Sequence, residues 1–237
     1  KVSGRFLTDF IRPKMWNGYL RTISYVLDDK LQNRTGYTDI SVQTIGKDAA
    51  GGVIATQEGA NSTTGIHEFG LAKIEGAVTQ EVSMFWSPDI FMSETIIFDV
   101  EEPCKNPVMI EWVNNLGGLE QQLFQVNQAV ESTSEKGLVF DQAVQTTYDL
   151  ANDTIGRLSY VNRQNVILVA EKLTVNYAKS LAQMKLSPVV WVWLDNTGQN
   201  KIEVIVVNDF KFNYQTNDEL VDYDITIQMP QNFDLFK

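Results

Sequence analysis

Few residues in this chain are of a type and spacing that could do covalent chemistry. His67, in Ile66-His-Glu-Phe69, is the one imidazole. A catalytic triad would need it beside a nucleophile and an orienting acid, and no Gly-x-Ser-x-Gly elbow or activated-cysteine context occurs. Cys104 is the one thiol, so a transition-metal site, which takes several imidazole or thiolate ligands, is not expected. Carboxylates adjoin at Asp28-Asp29 and Glu101-Glu102, but neighbouring strand residues point to opposite faces and make poor acid–base dyads. Asp195-Asn-Thr-Gly-Gln-Asn200 lacks the spaced acids and terminal Glu of a calcium loop and reads as a hairpin turn. Gly51-Gly52 does not form a phosphate cradle. The expectation is a protein that is not an enzyme and holds no cofactor or metal.

Aromatic residues are the other candidates. Trp16, Trp86, Trp112, Trp191 and Trp193 could include sugar-stacking platforms, but indoles on strands more often anchor cores or interfaces. Trp191 and Trp193 share a face at i, i+2. They lie in Val189-Val-Trp-Val-Trp-Leu194, apolar on both faces, as Ile202-Glu-Val-Ile-Val-Val207 largely is. With the turn formers between them, these runs predict a hairpin covered on both sides. The outer face of a single sheet layer needs a covering partner, and a neighbouring subunit is the simple candidate. Val190, Trp191, Val192, Trp193, Ile205 and Val207 are therefore the expected subunit contacts.

The elements around that hairpin are mostly strands. Val221, Tyr223, Ile225, Ile227 and Met229 alternate with polar residues, the mark of a strand with one wet face. Strands are also expected at Tyr19–Leu27, Asp39–Ile45, Val78–Trp86, Thr95–Val100, Val108–Val113 and Asn165–Ala170. Loops are expected at Asp48–Gly52 and Glu58–Gly65, and a flexible stretch at Glu131–Gly137. One helix is predicted over 174–186, with Tyr177, Leu181 and Met184 on one face, Thr174 as its cap and Ser187-Pro188 as its stop. Glu101-Glu-Pro-Cys104 reads as a boundary between an N-terminal β domain, residues 1–102, and a C-terminal β-sandwich with the helix, residues 103–237. The fold class is mainly β, sandwich- or barrel-like, with one packed helix.

Charge narrows the partners. Thirty acidic residues against nineteen basic ones leave a net charge of −11, which argues against specific nucleic-acid binding, although an acidic wall lets DNA pass by without sticking. A lone cysteine forms no intrachain disulfide and fits folding in a reducing cytoplasm. Lys1–Phe10 has no apolar signal-like run, and no apolar stretch approaches the ~18–20 residues that cross a bilayer.

Cys104-Lys-Asn-Pro-Val-Met-Ile-Glu-Trp-Val-Asn-Asn-Leu-Gly-Gly118 and the strand after it, ending in Leu123-Phe124, are the most distinctive segment. Asn114, Gly117 and Gly118 form its turn. This segment resembles one recurring in structural proteins of tailed bacteriophages and prophages of Bacteroidetes. The resemblance extends through the 174–186 helix and Ser187-Pro-Val-Val-Trp-Val-Trp193 to Asp224-Ile-Thr-Ile-Gln-Met-Pro230. It departs at Leu119-Glu-Gln121, where those proteins carry aromatic residues. The resemblance implies a tail, baseplate or connector-ring protein of tail-tube-like fold, packed against copies of itself and other tail proteins. Such a protein is assembled in the host cytoplasm and located in the virion. The alternative is a carbohydrate-binding or adhesin β-sandwich module.

Overall fold

The computed structural model describes residues 5–27, 40–61, 65–86, 90–91, 95–136, 139–141, 155–157, 160–207 and 220–230. Asp28-Asp29 lie outside them. Among the described residues the chain is mainly β with one α-helix, as the alternation of side chains predicts. The N-terminal strands are β1 (Arg5–Phe6), β2 (Lys14–Trp16), β3 (Arg21–Leu27), β4 (Ile40–Lys47), β5 (Val53–Asn61), β6 (Gly65–Leu71), β7 (Thr79–Trp86), β8 (Ile90–Phe91) and β9 (Ile96–Glu101). They make two sheets: β1-β3-β6, and β2-β9-β7-β4-β5 with β8 joined to β7. Phe6, Ile23, Tyr25 and Leu71 from the first sheet meet Met15, Val42, Val82, Met84 and Phe98 from the second in one buried cluster. These facing apolar sets make a sandwich.

The second half adds β10 (Pro107–Val113), β11 (Leu119–Lys136), β12 (Val139–Asp141), β13 (Ile155–Arg157), β14 (Tyr160–Thr174), β15 (Val190–Trp193), β16 (Lys201–Val206) and β17 (Leu220–Gln228). Six of these close into an antiparallel barrel in the order β10-β11-β14-β17-β16-β15. Alternation along each strand fills its interior with Val108, Ile110, Phe124, Val166, Leu168, Val190, Val192, Ile225 and Ile227. Closure leaves these strands no free edges within the barrel.

Helix α1 (Val175–Leu181) continues as a 3-10 turn over Ala182–Leu186, and Ala178, Leu181 and Met184 enter the barrel core. Thr174 Oγ1 accepts from Tyr177 N at 3.3 Å, satisfying one of the first-turn donors. The predicted helix thus splits into seven α residues and a tighter tail. Phe10 from the N-terminal half joins the same core, tilted against Tyr177 with ring centroids 4.5 Å apart.

Two expectations change. Glu131–Lys136 is not a loop but part of β11, paired with Tyr160–Asn165 of β14. Pairing supplies the order that this polar sequence does not signal. Beyond the pairing of Asn165 with Gln228, β11 and β14 continue as a two-stranded ribbon, prolonged by β12 and β13. The ladder shifts register between Val126 and Val130. The loop expected at Glu58–Gly65 is also shorter, because β5 runs to Asn61 and β6 starts at Gly65.

Candidate subunit-contact surface

The hairpin β15–β16 forms with the predicted turn. Asp195 organises that turn: its carboxylate accepts from Thr197 N, Gly198 N and Asn200 N at 2.9, 2.7 and 2.9 Å. Partial burial works against the charge, but these bonds outweigh it and bring the carboxyl down to about 2. Gly198, at φ +72°, lies on the Trp193 indole, where a Cβ would come within 2.5 Å of the ring. Only glycine fits this turn without moving the indole.

The six residues expected at a subunit contact fall into three groups. Val190 and Val192 point into the barrel and are buried in its core. Trp193 points outward but is only 6% exposed, because the chain covers it with its own Trp16, Met109 and Leu123, flanked by Tyr19 and Leu20. These three are core residues of one chain, which corrects their assignment to a subunit contact. The physical reason is that the N-terminal segment lies across the barrel wall and hides the indole. Trp191 is half-buried, with Lys201 Nζ 5.4 Å above its ring. Ile205 and Val207 are 63% and 48% exposed, and they alone of the six are open apolar surface. Leu194, just past the end of β15, is also exposed.

A buried polar seam explains the cover over Trp193. Glu111, on the outward face of β10, accepts from Gln121 Nε2 at 2.7 Å and Trp193 Nε1 at 3.2 Å and pairs with Lys201. At the β10–β11 turn, Asn114 Oδ1 accepts from Leu116 N and Gly118 N at 3.0 and 2.9 Å, while its Nδ2 donates to Leu7 O at 2.9 Å. Gly117 takes φ +83°, and a Cβ on Gly118 would lie 2.3 Å from Leu7 O. Glu120 is buried with Arg21, N···O 2.9 Å, and accepts from Asp9 N at 3.0 Å. Burial pushes the Glu120 carboxyl up against the opposing pull of Arg21. Arg21 also donates to Gln121 O, and Thr22 N donates to Gln121 Oε1 at 2.9 Å. Nothing in the local sequence marks Glu120-Gln-Gln122 as buried. A long-range partner at Arg21 is what makes burial of that run tolerable.

Features suited to other chemistry are weak. A groove of about 700 Å³ lies between the N-terminal segment and α1, and two ion pairs sit in its lining, Arg12 with Asp99 and Lys14 with Glu101. Among the described residues no group of three His, Cys, Asp or Glu side chains could hold a metal ion. His67 lies against the Tyr25 ring, centroids 5.4 Å apart. Glu101 and Glu102 bind different cations, Lys14 and Lys73, as expected for residues on opposite faces. Of the four tryptophans whose burial is described, Trp16, Trp112 and Trp193 are buried and Trp191 half-buried, so none forms an exposed sugar platform. Among the described residues no helix is long and apolar enough to cross a membrane. In comparisons with known proteins, no family model matches the chain and no curated protein matches it.

Proposed function

We propose that this chain is a structural subunit of a bacteriophage virion, part of a tail, baseplate or connector ring built by packing of its copies. The observation that carries the subunit role is the open apolar surface at the end of β16, Ile205 and, just past the strand, Val207, on a closed barrel that needs no further strand. Large apolar side chains grouped on a surface mark a contact with another molecule. The resemblance of residues 104–124 and 165–230 to tailed-phage structural proteins supports the virion as the setting. The barrel with its packed helix suits a rigid ring component, and head-to-tail contacts between such units close into rings when the rotation allows. Acidic balance supports a surface past which DNA moves without binding.

The test is the mass of the purified assembly. The wild-type chain forms a ring visible in electron micrographs and in native mass spectra. Ile205→Asp with Val207→Asp reduces it to monomers while preserving the near-ultraviolet circular dichroism of the fold. A ring of unchanged mass in that double variant would overturn the contact, and a wild-type monomer at every accessible concentration would overturn the ring.

A further inference from the structure

Asn17-Gly18 is the one place in the chain where glycine follows asparagine. The pair forms the tip of the turn between β2 and β3. Tyr19 N donates to Trp16 O across it at 3.2 Å, and Gly18 takes φ +81°, the left-handed value expected of glycine at the third position of such a turn. Both residues are exposed, and a Cβ built on Gly18 would meet nothing within 4 Å. Asn17 N donates to Glu101 O at 3.1 Å, so the bonds on either side leave out the Gly18 amide, which donates to nothing among the described residues. The Asn17 side chain is held by two long contacts on exposed surface, from Nδ2 to the Glu102 carboxylate oxygens at 3.2 and 3.4 Å.

The side-chain carbonyl carbon of an asparagine and the next backbone nitrogen can close a five-membered ring. The attack is intramolecular, so access and orientation limit it. A side chain on the following residue obstructs that approach, and glycine has none. Other asparagines lack the opening. Asn106 precedes Pro107, which has no N–H, and Asn114 is buried with its carbonyl oxygen bonded to Leu116 N and Gly118 N.

We propose that Asn17 converts spontaneously to aspartate and isoaspartate, with water as co-reactant, and that the conversion loosens the cover over Trp193. The Gly18 nitrogen bonds to Asn17 Cγ and the Cγ–Nδ2 bond breaks. The side-chain nitrogen leaves as ammonia, taking the proton that the Gly18 amide gives up. Water then opens the cyclic imide at either carbonyl. One product keeps the backbone and turns the side-chain amide into a carboxylate. The other routes the chain through Cγ and lengthens it by one atom. Both carry a new negative charge beside Glu102, so a hydrogen bond gives way to like-charge repulsion. Trp16, Tyr19 and Leu20 flank this turn and pack with Trp193, and Leu20 N donates to Asn196 O at 3.1 Å in the turn beside that indole. A longer backbone between Trp16 and Tyr19 shifts all three. The site involves neither Ile205 nor Val207, so it stands apart from the ring contact.

Purified protein held at mildly alkaline pH gains about 1 Da. Peptide mapping places that gain at Asn17 roughly tenfold ahead of Asn115 and Asn200, which precede residues with side chains. A methyltransferase that recognises isoaspartyl residues labels the same peptide. Hydrogen exchange of the Leu20 amide, protected by Asn196 O in fresh protein, is about tenfold faster in the aged chain. Asn17→Gln, whose longer side chain closes a less favourable ring, keeps both its mass and its slow Leu20 exchange. A mass gain that appears first at other asparagines would overturn the site. Conversion at Asn17 with unchanged exchange at Leu20 would overturn its effect on the cover.

Discussion

The two strands of one hairpin meet opposite fates. β15 turns Trp193 outward, and the chain folds its own N-terminal segment over it. β16 turns Ile205 outward, Val207 follows just past its end, and both stay open. Both outward faces carry large apolar side chains, after Lys201 and Glu203 at the start of β16, so hydrophobicity alone does not distinguish Trp193 from Ile205. The polar seam does. Lys201, at the start of β16, still reaches Glu111, whereas Ile205 and Val207 lie farther along the strand, beyond the residues that the seam holds. Two-sided apolarity announces that a strand will be covered, and long-range polar pairing decides whether the cover is the same chain or another.

That contrast can be broken from the covered side first. Arg21→Ala leaves Glu120 buried without its cation and costs about 3–5 kcal/mol in urea unfolding. A loss under about 1 kcal/mol would mean that the seam does not hold the cover. Trp193→Ala empties the covered site and costs about 3 kcal/mol by the same measurement, because the indole is packed on several sides.

Acid tests the turn above Trp193. Asp195 has a folded pKa of about 2 against an ordinary 3.8, so its stabilising share is complete above the ordinary value and fades as pH falls towards 2. Wild-type unfolding midpoints drop through that window, while Asp195→Asn loses this part of the drop. An identical profile in the two proteins would remove the turn from the account. The smallest effect belongs to the open side. Ile205→Asp shifts unfolding by no more than about 0.5 kcal/mol, although it is expected to weaken assembly, and a large stability loss would mean that Ile205 is core.

The sequence revealed elements better than contacts. Alternation located β17, and the apolar runs located β15 and β16. The capping Thr174 and Ser187-Pro188 located the helix, although not its 3-10 end. What stayed hidden depends on residues far apart. Arg21 and Glu120 are separated by 99 positions, and Glu120-Gln-Gln122 reads locally as solvated surface. The cover on Trp193 comes from Trp16, Tyr19 and Leu20, whose own spacing gives no sign of a target. Glu131-Ser-Thr-Ser-Glu-Lys136 is polar on both faces, so its strand state is owed to the ladder with β14 rather than to any pattern of its own.

The irregularity at Val126–Val130 sits in the barrel wall itself, opposite Val166–Leu168 of β14, which pair on their other side with Ile225–Ile227 of β17. A bulge bends a strand and increases its twist without cutting the chain, so one kink serves both the curvature of the closed cylinder and the heading of the ribbon that leaves it a few residues on. Removing it would disturb both at once, costing the wall a bend and turning the outlying limb elsewhere. Aim and enclosure are thus tied together at a single stretch of β11.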